Sequence, residues 1–255
     1  MILEKFSLKG KSGIVTGGGT GLGKAMAAAV VQAGAAVLIV GRRKEVLEKT
    51  ARELNEFGGP VVPFPADLTR MENIPGIVEK AMKEFGKIDF LFNNAGIGRR
   101  APVEEFSEAD WDLVIQTNLK GPFFLAQAVA KTMIAAQRPG SIINISSIMA
   151  FISRKDNPAY VASKGGISQV TKSMANGWAK YGIRVNAIGP GWFITDLTER
   201  LHRDKERSQE FTSRIPLGRW GNPEELGGVA VFLASDASSY VTGQTLIVDG
   251  GLLSN

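Results

Sequence analysis

The sequence contains no cysteine and a single histidine, His202. The first absence excludes a disulfide framework, thiolate metal sites and a cysteine nucleophile. The second excludes a multi-histidine zinc centre, so no metal is expected, and it leaves one imidazole for any serine–histidine–aspartate scheme. A general base of another kind is needed. No apolar run approaches the roughly 18 residues of a membrane span, and no basic block of nucleic-acid type occurs. The densest cluster is Arg42-Arg43-Lys44. Neither nucleic acid nor membrane is an expected partner. The opening Met1-Ile2-Leu3-Glu4-Lys5-Phe6 carries an acid and no long apolar core, unlike a signal peptide. A soluble, cytoplasmic protein is the expectation.

What is present is ordinary globular material: 255 residues, 44% hydrophobic and 22% charged. Such proportions exclude disordered, collagen-like and coiled-coil chains. Thirty glycines are many for a helical bundle and suit a fold with many tight strand-to-helix turns. The net charge of +5 favours an anionic substrate or cofactor, or is simply a mildly basic surface.

Short apolar runs alternate with amphipathic stretches along the chain. Strands are expected at Gly13–Thr16, Ala36–Val40, Val61–Pro65, Ile88–Asn93, Ser141–Ser146, Arg184–Ile188 and Thr245–Val248. Helices are expected at Gly21–Ala33, Lys44–Phe57, Asn73–Phe85, Glu108–Gln137, Pro158–Tyr181 and Pro223–Ala234. Ser107 stands where an N-cap belongs, and Gly34, Gly58, Gly86 and Gly182 follow helices as stops. Strands apolar throughout and separated by helices imply parallel strands covered on both faces. The expectation is an α/β fold: one doubly wound Rossmann domain over residues 1–255, with a seven-stranded parallel sheet and helices on both faces. Ligands bind such sheets beyond the carboxyl ends of the strands, at the topological switch point.

Three motifs follow predicted strands. Thr16-Gly17-Gly18-Gly19-Thr20-Gly21-Leu22-Gly23 closes the first strand and opens the first helix, allowing a tight turn and a close backbone approach to a pyrophosphate. Its spacing, Gly17-x-x-x-Gly21-x-Gly23, is not the G-x-G-x-x-G fingerprint. Asn93-Asn94-Ala95-Gly96 ends the fourth strand; small residues there admit a flat adenosine or ribose, or simply make a turn. Tyr160-x-x-x-Lys164 puts a phenol and an ammonium on one helix face, with Ser147 thirteen residues before the tyrosine. A free tyrosine titrates near 10. A cation at roughly 4 Å supplies on the order of 4 kcal/mol towards the phenolate, and Ser147 can donate to a carbonyl or developing alkoxide.

Together with Asn118 in Thr117-Asn118-Leu119-Lys120-Gly121 and with Pro190-Gly191-x-x-x-Thr195, these motifs resemble the short-chain dehydrogenase/reductase superfamily across essentially the whole chain. The resemblance implies an oxidoreductase in which Tyr160 is the general acid/base, Ser147 orients the substrate and Lys164 lowers the tyrosine while holding the nicotinamide ribose. Asn118 would support a water-linked proton relay to Lys164. Thr195 would bind the nicotinamide carboxamide and Asp67 the adenine amino group. The implied cofactor-binding set is Gly17, Gly19, Thr20, Gly21, Leu22, Gly23, Arg42, Arg43, Asp67, Leu68, Asn94, Ala95, Gly96, Tyr160, Lys164, Pro190, Gly191 and Thr195. Ser146 is the rival of Ser147, and the spacing to Tyr160 favours Ser147. A homotetramer is implied too, with Phe123, Phe124, Val161 and Ile167 fitting either a subunit contact or the core.

The second strand ends in Gly41-Arg42-Arg43, where a carboxylate would bind the ribose 2′-hydroxyl and repel a 2′-phosphate. Gly41 in place of the acid, with Arg42 after it, points to NADP(H), with NAD as second choice. Alternatively Arg42 stacks on adenine and both cofactors serve. Within the superfamily the chain resembles the gluconate 5-dehydrogenase and 2-deoxy-D-gluconate 3-dehydrogenase group. The stretches that carry this are Ile97-Gly98-Arg99-Arg100, Phe106-Ser107-Glu108-x-Asp110-Trp111 and Arg214-Ile215-Pro216-Leu217-Gly218-Arg219-Trp220-Gly221. A small anionic sugar acid is the implied substrate, with at least one of Arg99, Arg100 and Arg154 on its carboxylate, unless these pair with acids such as Glu104 and Glu105. Phe193–Arg214 would form an irregular lid at 193–214, with Trp192 and Phe193 as its apolar inner face and His202 solvated. Alternatives are a 3-ketoacyl-carrier-protein reductase and a non-catalytic cofactor-binding sensor.

Overall fold

The computed structural model describes residues 1–196 and 198–254; of Arg200 and Arg207 only the backbone is described. The part of the expected lid at residue 197, and those two side chains, lie outside the described residues.

Seven parallel strands form one sheet: β1 (Ser12–Thr16), β2 (Ala36–Gly41), β3 (Val61–Pro65), β4 (Phe90–Asn93), β5 (Gly140–Ile145), β6 (Ile183–Pro190) and β7 (Thr245–Val248). Their order is β3-β2-β1-β4-β5-β6-β7. β1 pairs in register with both β2 (Ile14 opposite Leu38) and β4 (Ile14 opposite Leu91). The chain therefore winds outward from β1 to β3 and then crosses back to β4, leaving the switch point between β1 and β4. The doubly wound seven-stranded fold read from the sequence is the fold observed.

Alternation along the strands divides the core into two layers. Val15, Val37, Ile39, Phe90 and Phe92 point to one face, where they pack with Met26 and Val30 of α1 (Gly21–Gln32), Leu47 of α2 (Lys44–Asn55) and Leu233 of α9 (Gly227–Ala234). Ile14, Leu38, Val40, Leu91 and Ile142 point to the other. There they meet Ile77 of α3 (Asn73–Phe85), Leu125 of α5 (Gly121–Ala135) and Met174 of α6 (Pro158–Trp178). Strands with both faces apolar are what such burial requires.

The observed elements differ from the expected ones at informative places. The expected helix Glu108–Gln137 is two, α4 (Glu108–Ile115) and α5, joined by a π-helical turn at Gln116–Lys120. Ser107 caps α4, its hydroxyl accepting from Asp110 N at 3.1 Å. The expected Pro223–Ala234 helix opens with a 3₁₀ turn before α9. The expected irregular lid is largely helical, α7 (Glu199–Arg203) and α8 (Lys205–Ser213), and among its described side chains Glu199, Arg203, Lys205, Glu206 and Glu210 are exposed on wet helix faces. Among the described residues no helix is long and apolar enough to cross a membrane, and no acid–histidine cluster could hold a metal ion.

Candidate active site

The carboxyl ends of β1 and β4 meet at the switch point. Gly17 turns with φ 64°, and Gly23 on the first turn of α1 lies so close that a Cβ there would stand 2.2 Å from Gly17 O. Only glycine permits that approach. The β4 end is clipped to the same turn: Asn94 Nδ2 donates to Thr16 O (2.9 Å) and Gly17 O (3.3 Å), while Asn94 N and Ala95 N donate to Thr16 Oγ1 (2.9 and 3.0 Å). Asn94 thus braces the glycine turn rather than leaving its amide for a ligand. Thr20, at the N-cap of α1, makes no side-chain cap, so the backbone N–H groups of the first turn stay available.

Two hollows open here. The first, of about 500 Å³, is lined by Gly17, Thr20, Gly21, Leu22, Gly23, Pro190, Gly191 and Thr195, and by the residues of the polar cluster below. The second, about 210 Å³, runs past Gly19, Gly41, Arg42, Arg43, Asp67 and Leu68. Gly17, Thr20, Ala95 and Gly96 border both. A Cβ on Gly21 would reach within 3.5 Å of Thr195 and narrow the passage between them. Asp67 is partly engaged, its Oδ1 accepting from Thr69 N (2.9 Å) and Thr69 Oγ1 (2.8 Å). Burial raises its carboxyl, but these bonds and the Arg42 and Arg70 charges outweigh that and hold it below the usual range. The joined hollows, the free helix start and the exposed Arg42 and Arg43 fit a dinucleotide.

The first hollow also gathers Ser147, Tyr160 and Lys164. Helix α6 carries the last two and is pinned to β5, Asn144 Nδ2 donating to Thr171 Oγ1 at 2.8 Å and Ser146 Oγ bonding Ser168 Oγ at 2.7 Å. Ser146 is thereby committed to the helix, whereas Ser147 Oγ accepts from Met149 N at 3.1 Å and lies beside the Tyr160 phenol. Lys164 is buried; its Nζ donates to Ile145 O at 2.6 Å and stands 5.4 Å from the Tyr160 ring centre. Desolvation lowers its ammonium to about 8. Tyr160 keeps part of its surface open to the cleft, yet burial pushes its phenol up and Ser147 pulls only partly back. In the protein alone burial therefore outweighs the help given to the phenolate, and the Lys164 ammonium is engaged with the Ile145 carbonyl. Asn118 sits behind, at the π turn, where it accepts from Ile97 N and donates to Ile97 O, both at 2.8 Å. A Cβ on Gly96 would lie 3.3 Å from Asn118 Oδ1 and 3.7 Å from Lys164 Nζ.

On the outer side Arg154 lines the cleft. Its guanidinium stands 5.7 Å from the Trp192 ring centre and 5.3 Å from that of Phe211, and Nε donates to Asp156 at 3.2 Å. Its Nη1 is buried without a hydrogen-bond partner. Arg100 lines the same cleft. Arg99 does not border either hollow: its Nε donates to Asp110 at 3.1 Å, a different acid from Glu104 and Glu105.

Comparison with known proteins agrees with this geometry. Residues 17–253 match the family model described as Enoyl-(Acyl carrier protein) reductase. Over 253 residues the chain is 48% identical to the 2-dehydro-3-deoxy-D-gluconate 5-dehydrogenase of Escherichia coli K12, covering 99% of each. It is 44% identical to a 3-oxoacyl-acyl-carrier-protein reductase of Thermotoga maritima, over 96% of this chain and 99% of that one. The crystal structure of a gluconate 5-dehydrogenase from Burkholderia cenocepacia J2315, in complex with NADP and tartrate, superposes with a TM-score of 0.95 at 41% identity, with 100% of both chains covered. The chain belongs to the short-chain dehydrogenase/reductase family. It is an oxidoreductase.

For a member of that family, several cleft residues went unread in the sequence. Gly98, Met149, Asn157, Asp196, Thr198 and Leu201 all line the first hollow. Thr198 carried a readable signal, a hydroxyl three residues after Thr195; its Oγ1 bonds Thr195 Oγ1 at 3.2 Å and so orients it. Phe193 is buried and lines the cleft as expected of a lid's inner face, and Trp192 stacks on Phe211 with ring centres 4.5 Å apart. His202 is half-buried rather than solvated, edge-on to Trp220 at 5.3 Å. Of the apolar positions weighed for a subunit contact, Ile167 is in the core, Phe123 and Val161 are half-buried, and Phe124 is exposed.

Proposed function

We propose that the protein is an NADP(H)-dependent oxidoreductase interconverting a keto and a hydroxy sugar acid of the ketogluconate or keto-uronate class. The observation that carries the reading is Arg154, whose guanidinium is held beside Trp192 and Phe211 and lines one cleft with Ser147, Tyr160 and Lys164. A carboxylate is the natural partner for such a fork. The relatives named for gluconate substrates lean the same way.

Gly17, Gly19, Thr20 and the start of α1 hold the pyrophosphate. Asp67 and Leu68 flank the adenine, Arg42 and Arg43 meet the 2′-phosphate, and Asn94, Ala95, Gly96, Pro190, Gly191 and Thr195 enclose the remainder. When bound, the dinucleotide supplies or accepts a hydride at the substrate's reacting carbon. Ser147 donates a hydrogen bond to the carbonyl oxygen and Tyr160 Oη gives it the proton as that oxygen becomes a hydroxyl. Burial pushes the phenol up and so favours its protonated form, the one that donates in the reduction step. Lys164 holds the ribose and replenishes the proton, with Asn118 behind it ordering a water-linked path. Arg154, with Arg100, anchors the carboxylate, and 193–214 closes over it as a lid. We extend the proposal to a homotetramer, supported by Trp111 on α4 and Phe124 on α5, which are 40% and 38% exposed.

Initial rates of NADPH oxidation on a keto sugar acid and on its neutral analogue of the same skeleton test the reading. One charge-assisted contact contributes about 1.5–3 kcal/mol, so the acid is expected to react roughly tenfold to a hundredfold better in kcat/KM. Equal rates refute carboxylate recognition and direct attention to acyl thioesters, the substrate class suggested by the Thermotoga relative's name.

A further inference from the structure

Alanine is the better helix former, and a serine hydroxyl that bonds back to the preceding turn tends to bend the helix. A serine inside a buried helix therefore asks for a reason. Ser163 lies inside α6 and is fully buried. Its Oγ donates to Tyr160 O at 2.8 Å and accepts from Asn118 Nδ2 at 3.1 Å. The first bond stays within the helix and gives no reason for a serine. The second reaches another element, the π turn Gln116–Lys120. Among the described residues it is the one side-chain hydrogen bond between α6 and that turn.

Asn118 is buried too, and its amide is fully engaged: Oδ1 accepts from Ile97 N, while Nδ2 donates to Ile97 O and to Ser163 Oγ. Ile97 stands between Gly96 and Gly98, both of which line the catalytic cleft. One amide thus ties the cleft wall that follows β4 to the helix that carries Tyr160 and Lys164. The approach continues along the same face of α6. A Cβ on Gly166, three residues after Ser163, would stand 3.0 Å from Leu119 Cδ2, so helix and turn lie close there. On its other side α6 is held by β5, through Lys164 Nζ on Ile145 O and Ser146 Oγ on Ser168 Oγ. The helix is gripped twice, and Ser163 is the polar part of the grip that faces the wall.

We propose that Ser163 is a positioning residue: through Asn118 it sets the Tyr160–Lys164 face of α6 against the wall Gly96–Gly98 and so aligns the path that returns a proton to Tyr160. This rests on the reading of Tyr160 as the acid, resupplied by way of Lys164 and Asn118. Ser163 lines neither hollow, so it acts on the reaction only through its neighbours. Removing its hydroxyl leaves an Nδ2 hydrogen of Asn118 without an acceptor in a buried site, which is costly, so the amide turns or the two elements part. Either change misplaces the proton path, while every side chain that lines the hollows is still present.

The test follows NADPH oxidation on a keto sugar acid, in H2O and in D2O, with the full chain as wild type, Ser163→Ala, Asn118→Ala, the double variant and Tyr160→Phe; thermal melts report on folding. In Ser163→Ala, kcat should fall on the order of 10–100-fold with both KM values within about twofold. The ratio of kcat in H2O to kcat in D2O should rise, because proton delivery becomes the slower step. In the Asn118→Ala background the same substitution should cost less than about twofold, its intermediary being gone. A fall in kcat with an unchanged isotope ratio overturns the proposal, since a merely less well folded variant loses active molecules without changing the step that limits them. Losses that multiply in the double variant overturn it as well; where the double variant does not fold, the isotope ratio of Ser163→Ala decides. Turnover retained in Tyr160→Phe refutes the acid reading and this inference with it, whereas turnover lost there, with Ser163→Ala equal to wild type, refutes Ser163 alone. A wild type inert on the acid refutes the function from which both follow.

Discussion

Removing Arg42 should separate the two nicotinamide cofactors. Arg42 follows the last residue of β2, is exposed, and borders the hollow that also holds Asp67. Two unit charges 4 Å apart attract by about 4 kcal/mol near a protein surface but only about 1 kcal/mol in water. An exposed guanidinium on a 2′-phosphate belongs towards the lower end, near the 1.5 kcal/mol of a weak charged hydrogen bond. Arg42→Ala should therefore raise the KM for NADPH about 10–30-fold and leave that for NADH within about twofold, there being no phosphate to lose. The structure permits the complementary change. A Cβ on Gly41 would meet Leu47 at 3.6 and 3.9 Å, ordinary contact, so Gly41→Asp can be built without displacing the core. Its carboxylate should repel the 2′-phosphate and accept from a ribose hydroxyl, lowering the NADPH-to-NADH ratio of kcat/KM further. Steady-state kinetics with both cofactors at two ionic strengths measure this, and the wild-type preference should shrink as salt screens the contact. Equal losses with both cofactors would mean that Arg42 stacks on adenine, and the argument from phosphate charge would be refuted.

Lys164→Met should abolish turnover yet raise stability at pH 7. The folded ammonium titrates near 8 and the unfolded one near 10.5, so the unfolded chain binds the extra proton, and wild-type stability rises between those values. The burial penalty present below pH 8 is roughly 3 kcal/mol at most, so the variant's advantage in thermal midpoint should fade as pH climbs past 8; a wild type that is the more stable at pH 7 contradicts this. The tetramer should show as a fourfold mass in light scattering, reduced by Trp111→Glu and Phe124→Glu together. A monomeric wild type would sink that assignment.

Much of this was legible because the constraints were local. Strands with both faces apolar belong in a parallel sheet covered on both sides, and that put the expected strand ends Thr16, Asn93, Ser146 and Ile188 at one edge before any contact was known. Glycine at 17 and 23 was readable as close approach because nothing larger fits. The partners of charged and polar side chains were not legible. Arg99 is lost to Asp110, eleven residues on, and Asn94 turns its amide back to brace β1. Asn118 was readable as a relay residue, but neither the π turn that carries it nor its two bonds to Ile97, twenty-one residues away, was. For Tyr160 the illegible part was its neighbour's other partner. Spacing set the lysine on the same helix face, while the carbonyl of Ile145 on β5, which draws that lysine off, belongs to another element.

Several groups that are costly to bury line one cleft. Lys164 carries its charge buried, Tyr160 is held in its acid form by burial, and Arg154 and Asn157 keep polar atoms without partners. Any one of these would be a defect in an inert core. Side by side they fit one kind of substrate by complement: an anion for Arg154 and, near it, an oxygen able to take a proton from a phenol. A ribose with hydroxyl oxygens beside Lys164 completes the set. The two directions of proton transfer make unequal demands on the protein. Proton donation by Tyr160 needs no rearrangement of charge in the protein, whereas proton acceptance needs the phenolate, which burial opposes until a positive charge arrives beside it. A catalyst speeds both directions alike, so this unequal demand shows in the pH–rate profiles, the oxidation rate needing more alkaline pH than the reduction rate.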